Sequence, residues 1–223
     1  MIGTRNESSL HAGLKEYYRR RGDLVEAEVD GYIIDLVQGE KLVEIQTANF
    51  GALKDKLKAL LPHYAVHLIY PIAVERHLIY IDPQTGELLE RRKSPKKGTI
   101  YELFAELIRI PLLIGEPNLT LEAAFVAEEE IRCSDGQGSW RRRGVSIVDR
   151  RLCAVVERRQ FSAKGDYLAV LPSDLPCPFT NRQLAQKAGI SQPAARKVTY
   201  TLRKAGWIQE VGREGNAILH QVG

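Results

Sequence analysis

Cysteine is scarce in this chain: Cys133, Cys153 and Cys177 are widely spaced, odd in number and part of no C-x-x-C pair. That spacing excludes a disulfide framework and a zinc ribbon, and leaves reduced structural thiols. Also missing is any apolar run approaching the ~20 residues needed to cross a bilayer. The opening MIGTRNESSLHAG has none of the apolar core of a signal peptide, so the expected location is cytoplasmic, with no membrane partner. No internal repeat, low-complexity tract or small-molecule cofactor motif is evident. What the chain does have is length and apolar content: 223 residues at 44% hydrophobic can bury a real core, as one large domain or two modest ones.

Charge is unevenly placed. Residues 1–130 hold 16 Lys/Arg against 21 Asp/Glu, whereas residues 131–223 hold 16 against 7, within a net charge of +4. A basic second half points to a polyanionic partner, with nucleic acid the first expectation and a solvated basic surface the alternative. The sequence leaves a homodimer open.

Thr4 to Gly22 reads as a helix, with Leu10, Leu14, Tyr17 and Tyr18 near helical spacing and Thr4 to Glu7 forming a capping box. Glu7 and His11 share a face of that helix. LVEAEVD, GYIIDLV and KLVEIQT follow as a β-meander whose turns are Asp30-Gly31 and Gln38 to Glu40. Asn49 to Leu61 reads as an amphipathic helix with Phe50, Leu53, Leu57 and Leu60 inward and Lys54, Lys56 and Lys58 as a solvated face. AVHLIYPIAV and HLIYID return as two strands, and ERRKSPKKGT is a connector. Ile100 to Ile110 and Leu119 to Arg132 read as helices, SDGQGSWRRRG as a flexible loop, and VSIVD and LCAVVERRQF as strands.

Asp35 and Glu44 lie inside runs that otherwise read as buried strand. Strand alternation puts Glu44 and Gln46 on one side, and pairing across the turn brings Asp35 and Glu44 together. Two carboxylates in partial burial repel and lose hydration unless a partner compensates. A divalent cation is the simplest partner, because Mg²⁺ takes one or two carboxylates and completes its shell with water and phosphate oxygens.

This arrangement resembles the PD-(D/E)XK nuclease superfamily, over about residues 4–82, with Asp35 on the second strand and Glu44-Ile45-Gln46 on the third. The resemblance implies a site in which Asp35, Glu44 and the Ile45 carbonyl hold Mg²⁺ or Mn²⁺. Gln46 stands where the family has the lysine that orients the attacking water, and Glu7 assists, as in the Holliday-junction resolvase branch.

Near the end of the chain, Thr180 and Ser191 cap two short helices separated by Gly189, Pro193 lies in the first turn of the second, and two strands surround Gly212 to Gly215. This resembles a winged helix-turn-helix, which implies DNA contacts from Gln192, Arg196, Lys197, Tyr200 and Arg203. Protein docking or dimerisation is the other use of such a module. Arg141, Arg142 and Arg143 beside the glycine loop can reach phosphates or a minor groove.

The expected fold is therefore α/β. Residues 1–90 form a three-layer, restriction-endonuclease-like core with a mixed sheet, 91–165 a helical and Arg-rich β-hairpin region, and 166–223 a winged-helix domain. The expected function is a metal-dependent DNA endonuclease that hydrolyses phosphodiester bonds. A non-catalytic DNA-binding regulator with a degenerate nuclease-like domain is the alternative, and an interaction subunit of a defence or repair complex is the third reading.

Overall fold

The structure, a computed structural model, describes residues 8–223. Its first helix, α1 (Ser9–Tyr18), opens on Ser8, whose hydroxyl accepts the His11 amide at 3.4 Å. Asp149 secures the same end by accepting the Ser9 amide at 3.0 Å and the Ser9 hydroxyl at 2.5 Å. Ser8 and Asp149 thus cap the described helix, and the capping box expected from Thr4 to Glu7 lies outside the described residues. The helix also stops at Tyr18, short of the expected Gly22.

Three strands follow: β1 (Leu24–Val29), β2 (Tyr32–Gln38) and β3 (Lys41–Ile45), antiparallel in turn. Asp30 and Gly31 both take positive φ, 50° and 81°, which suits a two-residue turn whose twist matches the flanking strands. A 3₁₀ turn at Phe50–Leu53 leads into α2 (Lys54–Leu60), and β4 (Ala65–Ile81) then returns parallel to β3. The two strands expected here are one continuous strand that passes through Pro71. The first four residues of the expected connector are also strand, because β5 (Leu88–Lys93) pairs with the far part of β4.

Residues 100–110 form a 3₁₀ turn and the short helix α3 (Phe104–Leu107). Leu119 to Arg132 is not a helix: these residues belong to β6 (Leu119–Cys133). The runs VSIVD and LCAVVERRQF are likewise one strand, β7 (Ser146–Phe161). The large mixed sheet has the order β1-β2-β3-β4-β6-β7, with β5 beside β4.

The remaining elements are α4 (Lys164–Leu168), β8 (Phe179–Thr180), α5 (Asn181–Ala188), α6 (Gln192–Lys204), β9 (Ile208–Glu214) and β10 (Ala217–Val222). They carry a second sheet ordered β8-β10-β9. Thr180 and Gln183 form a capping box at α5, Gly189 ends it at φ 64°, and Ser191 caps α6.

The chain forms two compact units, each assembled from three segments. One contains the residues up to Asp23 with 71–99 and 124–158, and the other 24–70, 100–123 and 159–223. These units interleave along the chain, unlike the three consecutive segments expected from the sequence.

In the first unit, β6 buries two acids, Glu128 and Glu130. Arg76 reaches Glu128 at 2.6 Å, while Arg132 and Arg150 reach Glu130 at 2.7 and 3.0 Å. Burial alone would raise the Glu130 carboxyl, but the three arginines outweigh it and hold the group below its ordinary range. In the second unit, Ile34, Leu36, Val43, Ile45, Leu57, Leu60 and Leu68 are buried around β2, β3, β4 and α2. Another buried group, Phe161 and Tyr167, stacks through Tyr167 on Trp207 with ring centroids 4.9 Å apart.

Candidate active site

The β2–β3 ladder is regular through Gln38↔Lys41, Val37↔Leu42 and Leu36↔Val43. Continuing that register would place Asp35 opposite Glu44, but backbone pairing stops there. The Ile45 amide instead donates to Asp35 Oδ2 at 2.8 Å. Asp35 therefore fills the point where the two strands part, with its carboxylate against the end of β3.

Glu44 is only 5% exposed. Its carboxyl is pushed above the usual range by burial, with the negative charge of Asp35 adding to the effect and Lys56 opposing it. Lys56 comes from α2; its ammonium donates to Glu44 Oε1 and, at 2.5 Å, to the Ile33 carbonyl. The lysine side chain is 14% exposed, so this ion pair is largely removed from water. Lys56 is thus not part of the solvated helix face expected for it.

The signal for Lys56 was present in the helical spacing. At ~100° per residue, Lys56 falls roughly 60° from Leu53, on the apolar side, while Lys54 and Lys58 fall roughly 100° and 140° away. Three lysines in five residues read as one face, yet they occupy two.

Gln46 lies just beyond β3. Its amide donates to the Ile69 carbonyl at 2.9 Å and its carboxamide to the Ala48 carbonyl, so the side chain is engaged in its own turn. Glu7 lies outside the described residues. His11, on α1, is partly buried.

Among the described residues, no group of three or more His, Cys, Asp and Glu is placed to hold a metal ion. The oxygen donors near Glu44 are the Asp35 and Glu44 carboxylates and the carbonyls of β3, a hard set of the kind Mg²⁺ accepts.

The expected nucleic-acid residues fall in two places. Arg141 and Arg142 form a 3₁₀ turn with Trp140, and Arg143 follows in the left-handed region at φ 52°, all exposed between β6 and β7 in the first unit. In the second unit, Gln192, Arg196 and Tyr200 of α6 are exposed, and Lys197 and Arg203 are partly so. Arg203 is ion-paired with Glu210 of β9, which ties down part of the charge expected to be available for phosphate. Helix α6 also packs against α3. Tyr200 and Lys204 line a cleft of about 370 Å³ with Lys54, Lys58, Arg109 and an apolar floor from 110–113.

Residues 8–162 match the family described as "Domain of unknown function (DUF8091)". The chain belongs to the DUF8091 family. The matched span runs from α1 through β7, so it contains Asp35, Glu44, Lys56 and the arginine turn, while α4 to β10 lie beyond it. An "Uncharacterized protein" of Treponema pallidum (strain Nichols) is 35% identical over 186 residues, covering 83% of this chain and 74% of that protein. No solved structure matches the chain. No helix among the described residues is long and apolar enough to cross a membrane.

Proposed function

We propose that this DUF8091 chain is a metal-dependent phosphodiesterase acting on DNA, with a PD-(D/E)XK-type site in which Lys56 supplies the charge that Gln46 lacks. The observation that carries this reading is the buried Glu44 carboxylate, set beside Asp35 where β2 and β3 part and held by the ammonium of Lys56. The order α1-β1-β2-β3-α2-β4, with β3 and β4 parallel, supports it.

The donor set is of the kind Mg²⁺ or Mn²⁺ accepts, because it consists of carboxylate and carbonyl oxygens, the hard ligands such ions take. Asp35, Glu44 and the Ile45 carbonyl would hold the ion. When bound, such an ion polarises a phosphoryl oxygen and lowers the pKa of a bound water. Lys56 is the group able to stabilise charge developing on the phosphate, and its bond to the Ile33 carbonyl fixes its reach. Gln46 has the smaller role of positioning water, since its carboxamide is shared with Ala48.

The arrangement α4-β8-α5-α6-β9-β10, with its three-stranded sheet and two capped helices, supports a winged-helix reading of the C-terminal segment. Its basic residues and the arginine turn would supply DNA affinity in a salt-dependent way.

The non-catalytic regulator is the second reading, favoured by one observation: Lys56 already neutralises part of the Glu44 charge. A cleavage assay with Mg²⁺ and Mn²⁺ on linear, single-stranded, flapped and four-way DNA separates the two. The nuclease reading expects metal-dependent cleavage, abolished by Asp35→Ala or Glu44→Ala and reduced ~10²–10³-fold by Lys56→Ala. Salt-sensitive DNA binding without cleavage of any substrate would establish the regulator instead.

A further inference from the structure

Trp140 is 83% exposed, more than any other large hydrophobic side chain among the described residues. An indole carries a large apolar surface that proteins ordinarily cover. This one is held out by a closed turn. Asp135 accepts the Gln137 amide at 2.9 Å and the Ser146 hydroxyl at 2.7 Å, and the Gly138 amide donates to the Gly144 carbonyl at 3.0 Å. A Cβ at Gly138 would lie 1.8 Å from the Val145 carbonyl oxygen, so only glycine allows the chain to cross itself there. The Arg143 amide closes the turn on the Trp140 carbonyl at 3.0 Å, and Arg142 Nε spends itself on the Val145 carbonyl at 3.1 Å.

Two features define what such a tip recognises. The Arg141 guanidinium lies 5.6 Å from the centroid of the indole, covering one face of the ring and leaving the other for a flat partner. Residues 135–149 hold Arg141, Arg142 and Arg143 against Asp135 and Asp149, and Asp135 is turned onto the Gln137 amide and the Ser146 hydroxyl, so the tip carries net positive charge that favours an anion. A flat group attached to an anionic backbone is a nucleotide. In a continuous duplex each base already has neighbours stacked on both faces, and an inserted side chain must unstack a step at a cost of a few kcal/mol. An unpaired base offers its face without that cost, and stacking it on an aromatic ring is worth ~1–3 kcal/mol.

We propose that Trp140 is a stacking platform for an unpaired nucleobase, with Arg141 and Arg143 on the adjoining phosphates, and that this DUF8091 chain therefore prefers DNA with exposed single-stranded nucleotides. The proposal rests on the nucleic-acid reading of the chain and adds the substrate class to it. Arginines alone would hold any phosphate backbone, whereas the indole selects for an accessible base.

The test uses the full chain, whose tryptophans are Trp140 and Trp207. Intrinsic fluorescence and affinity are measured with oligo(dT), a blunt duplex and the same duplex carrying a short gap, for wild type, Trp140→Ala and Trp140→Phe. The expected result is quenching by oligo(dT) and gapped DNA that is absent in Trp140→Ala. Affinity for gapped DNA should drop about tenfold in Trp140→Ala, within the range expected for one stacked base, and by less in Trp140→Phe. Blunt-duplex affinity should be the same in all three. Equal binding of gapped and blunt DNA by wild type and Trp140→Ala, without quenching, would overturn the inference while leaving the nucleic-acid reading intact. Absence of binding to every DNA would remove that reading as well. Quenching by vesicles of anionic lipid but not by DNA would assign the tip to a membrane surface and overturn the proposal.

Discussion

The pairing of Lys56 with Glu44 sets the physics of the site at the scale of single residues. Removing the lysine leaves a carboxylate that is 5% exposed facing Asp35 without its cation. Breaking a buried pair in this way typically costs ~3–5 kcal/mol. Lys56→Met should therefore lower unfolding free energy in urea by roughly that amount, whereas Lys54→Met, on the exposed side of α2, should change it by less than ~0.5 kcal/mol. Combining Lys56→Met with Glu44→Gln should recover much of the loss, because the penalty belongs to an uncompensated charge and the two changes do not add. If the double variant is as unstable as the sum of the singles, the pair is not coupled as described. The carboxylates were legible in the sequence as acids in apolar strands. Their partner was not, because Lys56 sits between two exposed lysines and its contact with Glu44 spans a turn, a 3₁₀ segment and a helix.

At the scale of elements, β6 shows how burial can mislead a reading of local pattern. Its AAFVAEEEIR stretch is rich in alanine and glutamate, good helix formers whose acids look like a solvated face. Those acids are tolerated in a strand because Arg76 of β4 and Arg150 of β7 arrive from the neighbouring strands. Of the three neutralising arginines only Arg132 lies in the same stretch of sequence; Arg76 and Arg150 are far away in the chain, so no local window contains the whole cluster. Glu130→Ala should consequently cost ~1.5–3 kcal/mol in a urea titration, since Arg132 and Arg150 lose a charged hydrogen-bond partner. Arg92→Ala, at an exposed pair with Glu90, should leave the urea midpoint nearly unchanged. Elements defined by local chemistry were readable: the Asp30-Gly31 turn, the Thr180 cap and the Gly189 stop stand where their residue types predict. Thr180→Ala should cost ~1 kcal/mol through loss of its bond to the Gln183 amide.

For the whole molecule, acid should act in two steps. His220 is buried, and burial, with the Arg203 charge, holds its pKa below the ordinary 6.5. As pH falls below that value the unfolded chain takes a proton that the folded chain refuses, so stability drops between about pH 7 and the lowered folded value. Glu130 and Asp149 act lower down: both are held below their ordinary ranges, and their contribution is lost as pH falls through the carboxylate region. Melting temperature across pH 8 to 3 should show both phases, and His220→Phe should flatten the first while leaving the second. An unchanged upper phase in that variant would assign it to another group.

The interleaving of the two units predicts a further behaviour. A fragment of residues 1–90 retains β4 but loses its neighbour β6, and circular dichroism should find it without a cooperative transition. The acid–x–lysine spacing is a rule about order along a chain, but the ammonium beside Glu44 arrives by way of a helix, twelve residues later. A comparison written in sequence spacings passes over such a site, whereas one written as distances around a buried carboxylate would recognise it. It would also gather together chains in which a helix, and not the strand itself, supplies the cation beside such an acid.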